Sequence, residues 1–301
     1  MPPWVHGLSR GASTRRGVCL VSGASPVLCW MSDPRFCDTV VMRLFGRTLR
    51  DAAPRLHVAV DEGEGPVVVL VHGIASSSAS WEATIPLLTP LYRVIAIDVL
   101  GFGASVARPE TMFTLDEHVA ALHRTLVGLH LPGRFTLIGH SLGALISARY
   151  AAVHRRAVEH LILASPPIYP HARYIQERVA RLRVGGYLAF YRYVREDKGR
   201  ALGTLGRVRE LLHVRGPQID DVTWQAFALS MQNCIEQQTT MTDVAQVAVP
   251  VEIVYGSRDQ VIVPGPVQAL GVMHHVTLHE VRGADHFVRP PLAREIARLV
   301  R

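Results

Sequence analysis

Lysine is almost missing from this chain: Lys198 is the only one among 301 residues, so arginine supplies nearly all of the 32 basic groups. Long apolar runs are missing too. No stretch of about 18 apolar residues escapes a polar, glycine or proline interruption, which argues against a membrane-spanning helix. Cysteine is sparse, at positions 19, 29, 37 and 234, with no C-x-x-C pair and no paired histidine spacing. That excludes a disulfide framework and a zinc set. Free thiols in a reducing compartment are the expectation, and with them a cytoplasmic location. No internal repeat of roughly 20–50 residues is visible, which removes solenoids and propellers. What remains is 49% hydrophobic and 19% charged, the balance of an ordered globular protein. The formal charge of +7 is concentrated at the start, where residues 1–50 hold seven arginines against Asp33 and Asp38. The rest is nearly neutral, so no nucleic-acid partner is expected.

Residues 1–50 form a basic N-terminal extension, expected to be poorly ordered. Arg15-Arg16 followed by Val18–Val21 and Val27–Met31 has a faint likeness to an export signal. Ser22, Gly23, Ser25 and Pro26 interrupt it, however, and no A-x-A-like cleavage site follows. A flexible extension is the plainer reading. Translation from DNA upstream of a true start at Met31 or Met42 is a further expectation.

From Leu56 onward the pattern alternates between two periods. Strands are expected at Leu56–Val60, Val67–Val71, Val94–Ile97, Phe135–Ile138, Leu161–Ala164, Val251–Tyr255 and Val276–Val281. Helices are expected at Trp81–Leu88, Leu115–Gly128, Leu142–Val153, Val267–Met273 and Pro291–Val300. Several strands are continuous apolar runs, as required when helices cover both faces of a mostly parallel sheet. The alternation breaks once, between Pro166 and Val249, where only helical patterns occur. The expected organisation is an α/β core over 51–165 and 250–301, with an all-helical insertion over 166–249.

Gly139-His140-Ser141-Leu142-Gly143 lies between an expected strand and an expected helix. In that setting G-x-S-x-G describes a strained turn that lifts a serine oxygen above the sheet. Around it, in order, stand His72-Gly73, Asp98-x-x-Gly101-Phe-Gly-x-Ser105, Gly256-x-x-Asp259 and Gly283-x-x-His286. On these five motifs, residues 56–301 resemble the α/β-hydrolase family, and specifically its serine esterases and lipases with a helical cap. The chain order Ser…Asp…His is the one that fold uses.

The resemblance implies a triad in which Ser141 is the nucleophile, His286 the base and Asp259 the acid that orients the imidazole. The backbone N–H groups of Leu142 and Ile74 would form the oxyanion hole. Asp98 is the rival acid, but its place before Gly101-Phe-Gly103 reads better as a carboxylate organising a tight turn. His72 reads as a brace for its loop and His140 as local structure. Asp285, beside the base, is poorly placed to reach its ring.

The 166–249 segment resembles the lid of this family. Tyr187, Phe190, Tyr191 and Val194 recur at helical spacing, and Trp224, Phe227 and Met231 do the same. Such stripes commonly only pack a helix down. As pocket walls, Tyr187, Phe190, Tyr191 and, next to the base, Phe287 would favour a hydrophobic acyl or alkyl group. The lid arginines 173, 178, 181, 183, 192, 195 and 200 read as a solvated face.

These residues lead to an expected hydrolysis of a small to medium hydrophobic carboxylic ester through an acyl-enzyme on Ser141, with no metal or organic cofactor. Two alternatives stay open. Carbon–carbon hydrolases of ring-cleavage products keep the serine and the lid, but typically place Trp where this chain has Phe287. A hydrolase-like small-molecule binding protein is the non-enzymatic alternative. Oligomeric state is unreadable from the sequence.

Overall fold

The computed structural model describes residues 53–169, 178–199, 202–203 and 223–300. The basic extension with Cys19, Cys29 and Cys37, and Arg173 and Arg200 of the 166–249 insertion, lie outside the described residues.

The strands are β1 (Val58–Glu62), β2 (Val67–Val71), β3 (Arg93–Ile97), β4 (Phe135–His140), β5 (Val158–Ala164), β6 (Val251–Gly256) and β7 (Val276–Val281). They form one sheet in the order β1-β3-β2-β4-β5-β6-β7. Only β1 runs antiparallel to its neighbour; every other pairing is parallel. The helices are α1 (Ile85–Leu88), α2 (Leu115–Gly128), α3 (Leu142–Val153), α4 (Arg178–Arg195), α5 (Trp224–Ser230), α6 (Thr240–Gln246), α7 (Pro264–Leu270) and α8 (Pro290–Leu299).

β2 shows why this is a three-layer structure. All five of its residues, Val-Val-Val-Leu-Val, are buried. Val67, Val69 and Val71 enter one core and Val68 and Leu70 the other, because successive side chains point to opposite faces. The first core is closed by α2 and α3 through residues such as Leu122 and Leu145. The second is closed by Leu88 of α1 and by Leu292, Ile296 and Leu299 of α8. Burying each of these α8 side chains is worth about 1.5–3 kcal/mol. Between them Pro290 and Pro291 start the helix with φ already set.

Local chemistry explains where the elements begin. Thr114 caps α2 by accepting the Glu117 N–H, while the Glu117 carboxylate accepts the Thr114 N–H. The expected helix over Trp81–Leu88 divides into a 3-10 turn at Ser78–Trp81 and α1, with Pro86 at the start of the latter. α7 begins at Pro264, three residues before the apolar periodicity suggests, again on a proline. β5 starts at Val158 rather than Leu161, because exposed Glu159 and buried His160 belong to the strand despite their polarity.

Between β5 and β6 the described residues contain helices and no strand. α6 packs against α3 in the main helical layer, where buried Asp243 accepts from Arg149 of α3 at 2.8 Å. No helix among the described residues is long and apolar enough to cross a membrane. The sheet order reverses around β2, with β3 on one side and β4 on the other, which opens a crevice at the carboxyl ends of these strands.

Candidate active site

β4 delivers Ser141 to that crevice in a conformation that only close packing can hold. Its φ is 53° and its ψ −119°, a region costing on the order of 1–3 kcal/mol for a residue with a side chain. The flanking glycines are required by approach of backbone to backbone. A Cβ at Gly139 would stand 2.2 Å from the Gly143 carbonyl oxygen, and one at Gly143 would stand 2.2 Å from the Val71 carbonyl oxygen. The turn therefore wedges between β2 and α3. The Ser141 N–H continues the β4–β5 ladder to the Ala164 carbonyl at 2.9 Å, anchoring the strained residue.

His286 comes from the loop after β7, and its Nε2 lies 3.1 Å from Ser141 Oγ. Its Nδ1 lies 2.9 and 3.1 Å from the two oxygens of Asp259, which follows β6. A carboxylate only accepts, so Nδ1 carries the proton and Nε2 presents its lone pair to the serine hydroxyl. Ser141 is 6% exposed. Burial alone would push the Asp259 carboxyl up. The adjoining His286 and the Val261 N–H, 2.9 Å from Oδ1, outweigh it and hold the group below the usual carboxylate range. It stays ionised beside the imidazole.

Two backbone contacts set the distance between these loops. A Cβ at Gly256 would lie 2.2 Å from the Ala284 carbonyl oxygen, so the Asp259 and His286 loops meet main chain to main chain. The Arg258 N–H bonds that same carbonyl at 2.9 Å. His140, inside the elbow, donates from Nε2 to the His286 carbonyl at 2.7 Å. Burial, with the neighbouring His286, lowers its pKa to about 3, so it remains a neutral brace.

The loop after β2 stands against the elbow. A Cβ at Gly73 would lie 3.0 Å from the Ser141 Cβ. His72 is fully buried and serves this loop: Nδ1 donates to the Gly73 carbonyl at 2.7 Å and Nε2 accepts the Val99 N–H at 2.8 Å. Burial lowers its pKa to about 4. Ile74 is half-buried and Leu142 fully buried. The Leu142 N–H is the first of α3 and has no partner within the helix.

The rival acid is occupied elsewhere. Asp98 accepts from the Ser78 N–H and hydroxyl at 2.8 Å each and from the Ala104 N–H at 2.9 Å. A Cβ at Gly103 would stand 2.3 Å from it, so the turn closes directly over the carboxylate. Asp285 accepts the Phe287 N–H at 3.1 Å and pairs with Arg289 at 3.2 Å. His275 and His279 face the Val244 carbonyl and Glu252 respectively.

The aromatic residues separate. Phe287 stands edge-on to His286, ring centroids 6.1 Å apart, with the Arg289 guanidinium 5.6 Å from its ring centre. Tyr187 and Tyr191 are half-buried and reach the loop that follows Asp259, through the Gln260 carbonyl and through Tyr169. Phe190 is 48% exposed. The inward face of α4 is Val184, Tyr187, Leu188, Tyr191 and Val194, which puts Phe190 at its edge and corrects its reading as part of the stripe. Tyr169, buried within this group, carried no sequence signal; it follows Ser165-Pro166-Pro167 in a segment without periodicity. Among the described residues no group of three or more His, Cys, Asp or Glu side chains is arranged to hold a metal ion.

Known proteins bear on this geometry. A family model described as the alpha/beta hydrolase fold matches residues 66–288. A probable lysophospholipase of Arabidopsis thaliana, BODYGUARD 4, is 32% identical over 146 residues, 47% of this chain and 34% of that protein. The chain spans about a third of the length of the first curated relatives it matches. A 2-hydroxy-6-oxo-6-(2'-aminophenyl)hexa-2,4-dienoic acid hydrolase of Metapseudomonas resinovorans is 29% identical over 222 residues, 67% of this chain and 71% of that protein. Among solved structures, an esterase from Exiguobacterium antarcticum matches with a TM-score of 0.66 at 20% identity, covering 82% of this chain and 97% of that one. Identity that low carries the fold alone.

Proposed function

We propose, from the premise that this chain belongs to the alpha/beta hydrolase fold family, that it is a serine hydrolase cleaving small to medium hydrophobic carboxylic esters. The observation that carries this reading is the hydrogen-bonded sequence Ser141–His286–Asp259, assembled at a strained turn. Ser141 Oγ attacks the ester carbonyl carbon while His286 Nε2 takes its proton. The tetrahedral oxyanion is held by the N–H groups of Leu142 and Ile74. Its collapse breaks the bond to the alcohol oxygen, which leaves with the proton from His286. Water then gives a proton to His286 and its oxygen to the acyl carbon; collapse breaks the Ser141 Oγ–acyl bond, His286 returns the proton to Oγ, and the carboxylic acid leaves. Asp259 keeps the imidazole in the required tautomer throughout. Tyr187, Tyr191 and Phe287 are assigned to the wall of the acyl site.

The helical segment over 166–249 acts in this reading as a cap over the strand ends. The similarity to a probable lysophospholipase supports an ester of a single-chain lipid as one substrate to try.

A second reading is favoured by one specific observation. The aminophenyl hexadienoic acid hydrolase, whose name describes an enzyme on a ring-cleavage product, shares identity across two-thirds of this chain. Phe287 and the Ile74-Ala-Ser-Ser-Ser78 loop depart from what that group typically carries, so ester cleavage is preferred. The deciding experiment labels the protein with a fluorophosphonate, then compares p-nitrophenyl esters of graded chain length with ring-fission dienones. Labelling at Ser141 and ester turnover support the proposal; dienone turnover alone moves the protein to the second reading. No labelling and no turnover would leave a binding protein.

A further inference from the structure

Three clustered phenols serve the two peptide carbonyls that follow Asp259, two of them directly and the third through its neighbour. The Tyr169 hydroxyl donates to the Val261 carbonyl at 2.6 Å, and the Tyr187 hydroxyl donates to the Gln260 carbonyl. The Tyr191 oxygen lies 3.1 Å from that of Tyr169. Tyr169 has one proton and gives it to Val261, so Tyr191 is the donor in the second bond. The rings also pack: Tyr169 and Tyr187 stack with centroids 5.7 Å apart and planes 14° from parallel, and Tyr191 stands 5.9 Å from Tyr169.

The carbonyls they hold belong to the loop that sets the acid. The Val261 N–H donates to Asp259 Oδ1 at 2.9 Å, and the same oxygen is 3.1 Å from His286 Nδ1. The Gln260 carbonyl and the Val261 N–H are two ends of one planar peptide unit. A donor on the carbonyl polarises the unit and strengthens the N–H as a donor, the cooperativity expected of hydrogen-bonded chains in a low dielectric. Burial, with the charge of Asp259 adding to it, raises the pKa of both Tyr169 and Tyr191, that of Tyr191 to about 12. Both hydroxyls therefore keep their protons and remain donors through the working range.

Tyr187 and Tyr191 sit on α4, whereas Asp259 follows β6. We propose that Tyr169, with Tyr187 and Tyr191, is a positioning cluster that couples the seating of α4 to the orientation of Asp259. When α4 is seated, the peptide at 260–261 is locked and the carboxylate faces the imidazole. When α4 is displaced, the Gln260 carbonyl loses Tyr187, Tyr169 on the Val261 carbonyl loses its Tyr191 partner, and the acid loses a fixed aim. α4 thereby switches catalytic competence through the loop after Asp259. This rests on the triad reading above.

The test is Tyr169→Phe, which keeps the ring stack and removes one hydroxyl. Fluorophosphonate labelling of wild type establishes the triad independently. The variant is expected to lose about tenfold in kcat with KM within about twofold, the scale of one buried hydrogen bond acting only through orientation. Its second readout is the far-downfield proton resonance of His286 Nδ1, which should move upfield or broaden. Tyr191→Phe, which leaves the bond to Val261 in place, should show the same changes at two- to threefold, and it serves if Tyr169→Phe does not fold. Labelled wild type with unchanged kcat and an unmoved resonance in the variants overturns the coupling alone. Unlabelled wild type overturns both readings.

Discussion

The imidazole of His140 donates to the carbonyl oxygen of His286 at 2.7 Å, so the residue before Ser141 holds the backbone of the residue whose ring faces Ser141. The elbow and the histidine loop follow β4 and β7, which are not neighbours in the sheet, and this bond joins them. His286 is thus fixed at its ring by the carboxylate and at its main chain by a neutral neighbour.

Replacing His140 by Leu should leave that carbonyl without its donor in a buried setting, a loss of about 1–3 kcal/mol. Ester turnover should fall by roughly one order of magnitude, since the base is displaced rather than removed. Thermal unfolding and steady-state kinetics on the same preparation check both parts. His140→Gln, which can still donate, should recover part of the rate.

The elbow makes a sharper demand on Gly139 and Gly143. An added Cβ at either would come within 2.2 Å of a backbone carbonyl that cannot move without shifting β2 or α3. Gly139→Ala and Gly143→Ala should each destabilise by about 3 kcal/mol or more, at the upper end of single substitutions. Urea unfolding is the measurement; a midpoint equal to wild type in either variant contradicts the packing described.

Strain at Ser141 predicts an exchange of activity for stability. Ser141→Ala retains the φ of 53° and should lower kcat by a factor on the order of 10⁶. Ser141→Gly should be equally inactive yet more stable than Ser141→Ala by about 1 kcal/mol, because glycine adopts this conformation without the Cβ penalty. Comparison of the two variants by chemical denaturation isolates the backbone contribution.

Acid sensitivity should begin above the carboxylate range. Burial lowers the pKa of His72 from 6.5 to about 4, and those of His118 and His140 from 6.5 to about 3. Well above pH 6.5 all three are neutral in both folded and unfolded chains and exert no pH effect. As pH falls below 6.5 the unfolded chain binds protons that the folded chain refuses, so stability drops until the folded pKa values are reached. Each site contributes up to ~1.4 kcal/mol per pH unit. The midpoint of urea unfolding should therefore fall steeply between pH 6 and 4 (roughly the span separating these pKa values). His118→Gln should remove about a third of that slope.

Much of this site could be read along the chain because its parts are local. The strained serine, the glycines that flank it and the apolar strand and helix on either side occupy adjacent positions, and steric exclusion at Cβ acts between near neighbours. β2 and β7 were legible for the same reason, as were α2, with an apolar face and a capped start, and α3, whose apolar residues run almost unbroken because it is buried nearly all round. Phe190 marks where periodicity misleads: it lies three residues from Tyr187, yet the inward face of α4 is centred closer to Leu188 and Tyr191.

Read along the chain alone, the residues fix the order of the motifs, the presence of Ser, His and Asp types suited to acyl transfer and the alternation that builds an α/β sheet. Motif order already favoured Asp259 over Asp98 for His286; the tertiary structure supplied the contact itself, at 2.9 and 3.1 Å, and the donors that occupy Asp98 instead. It also decided that His140 braces the His286 backbone and that Tyr169 grips the loop after Asp259. Those partners are 146 and 92 residues away along the chain. Hydrogen bonds act over a few ångströms of space, and no pattern of neighbours in the sequence encodes which distant carbonyl the fold will bring within reach.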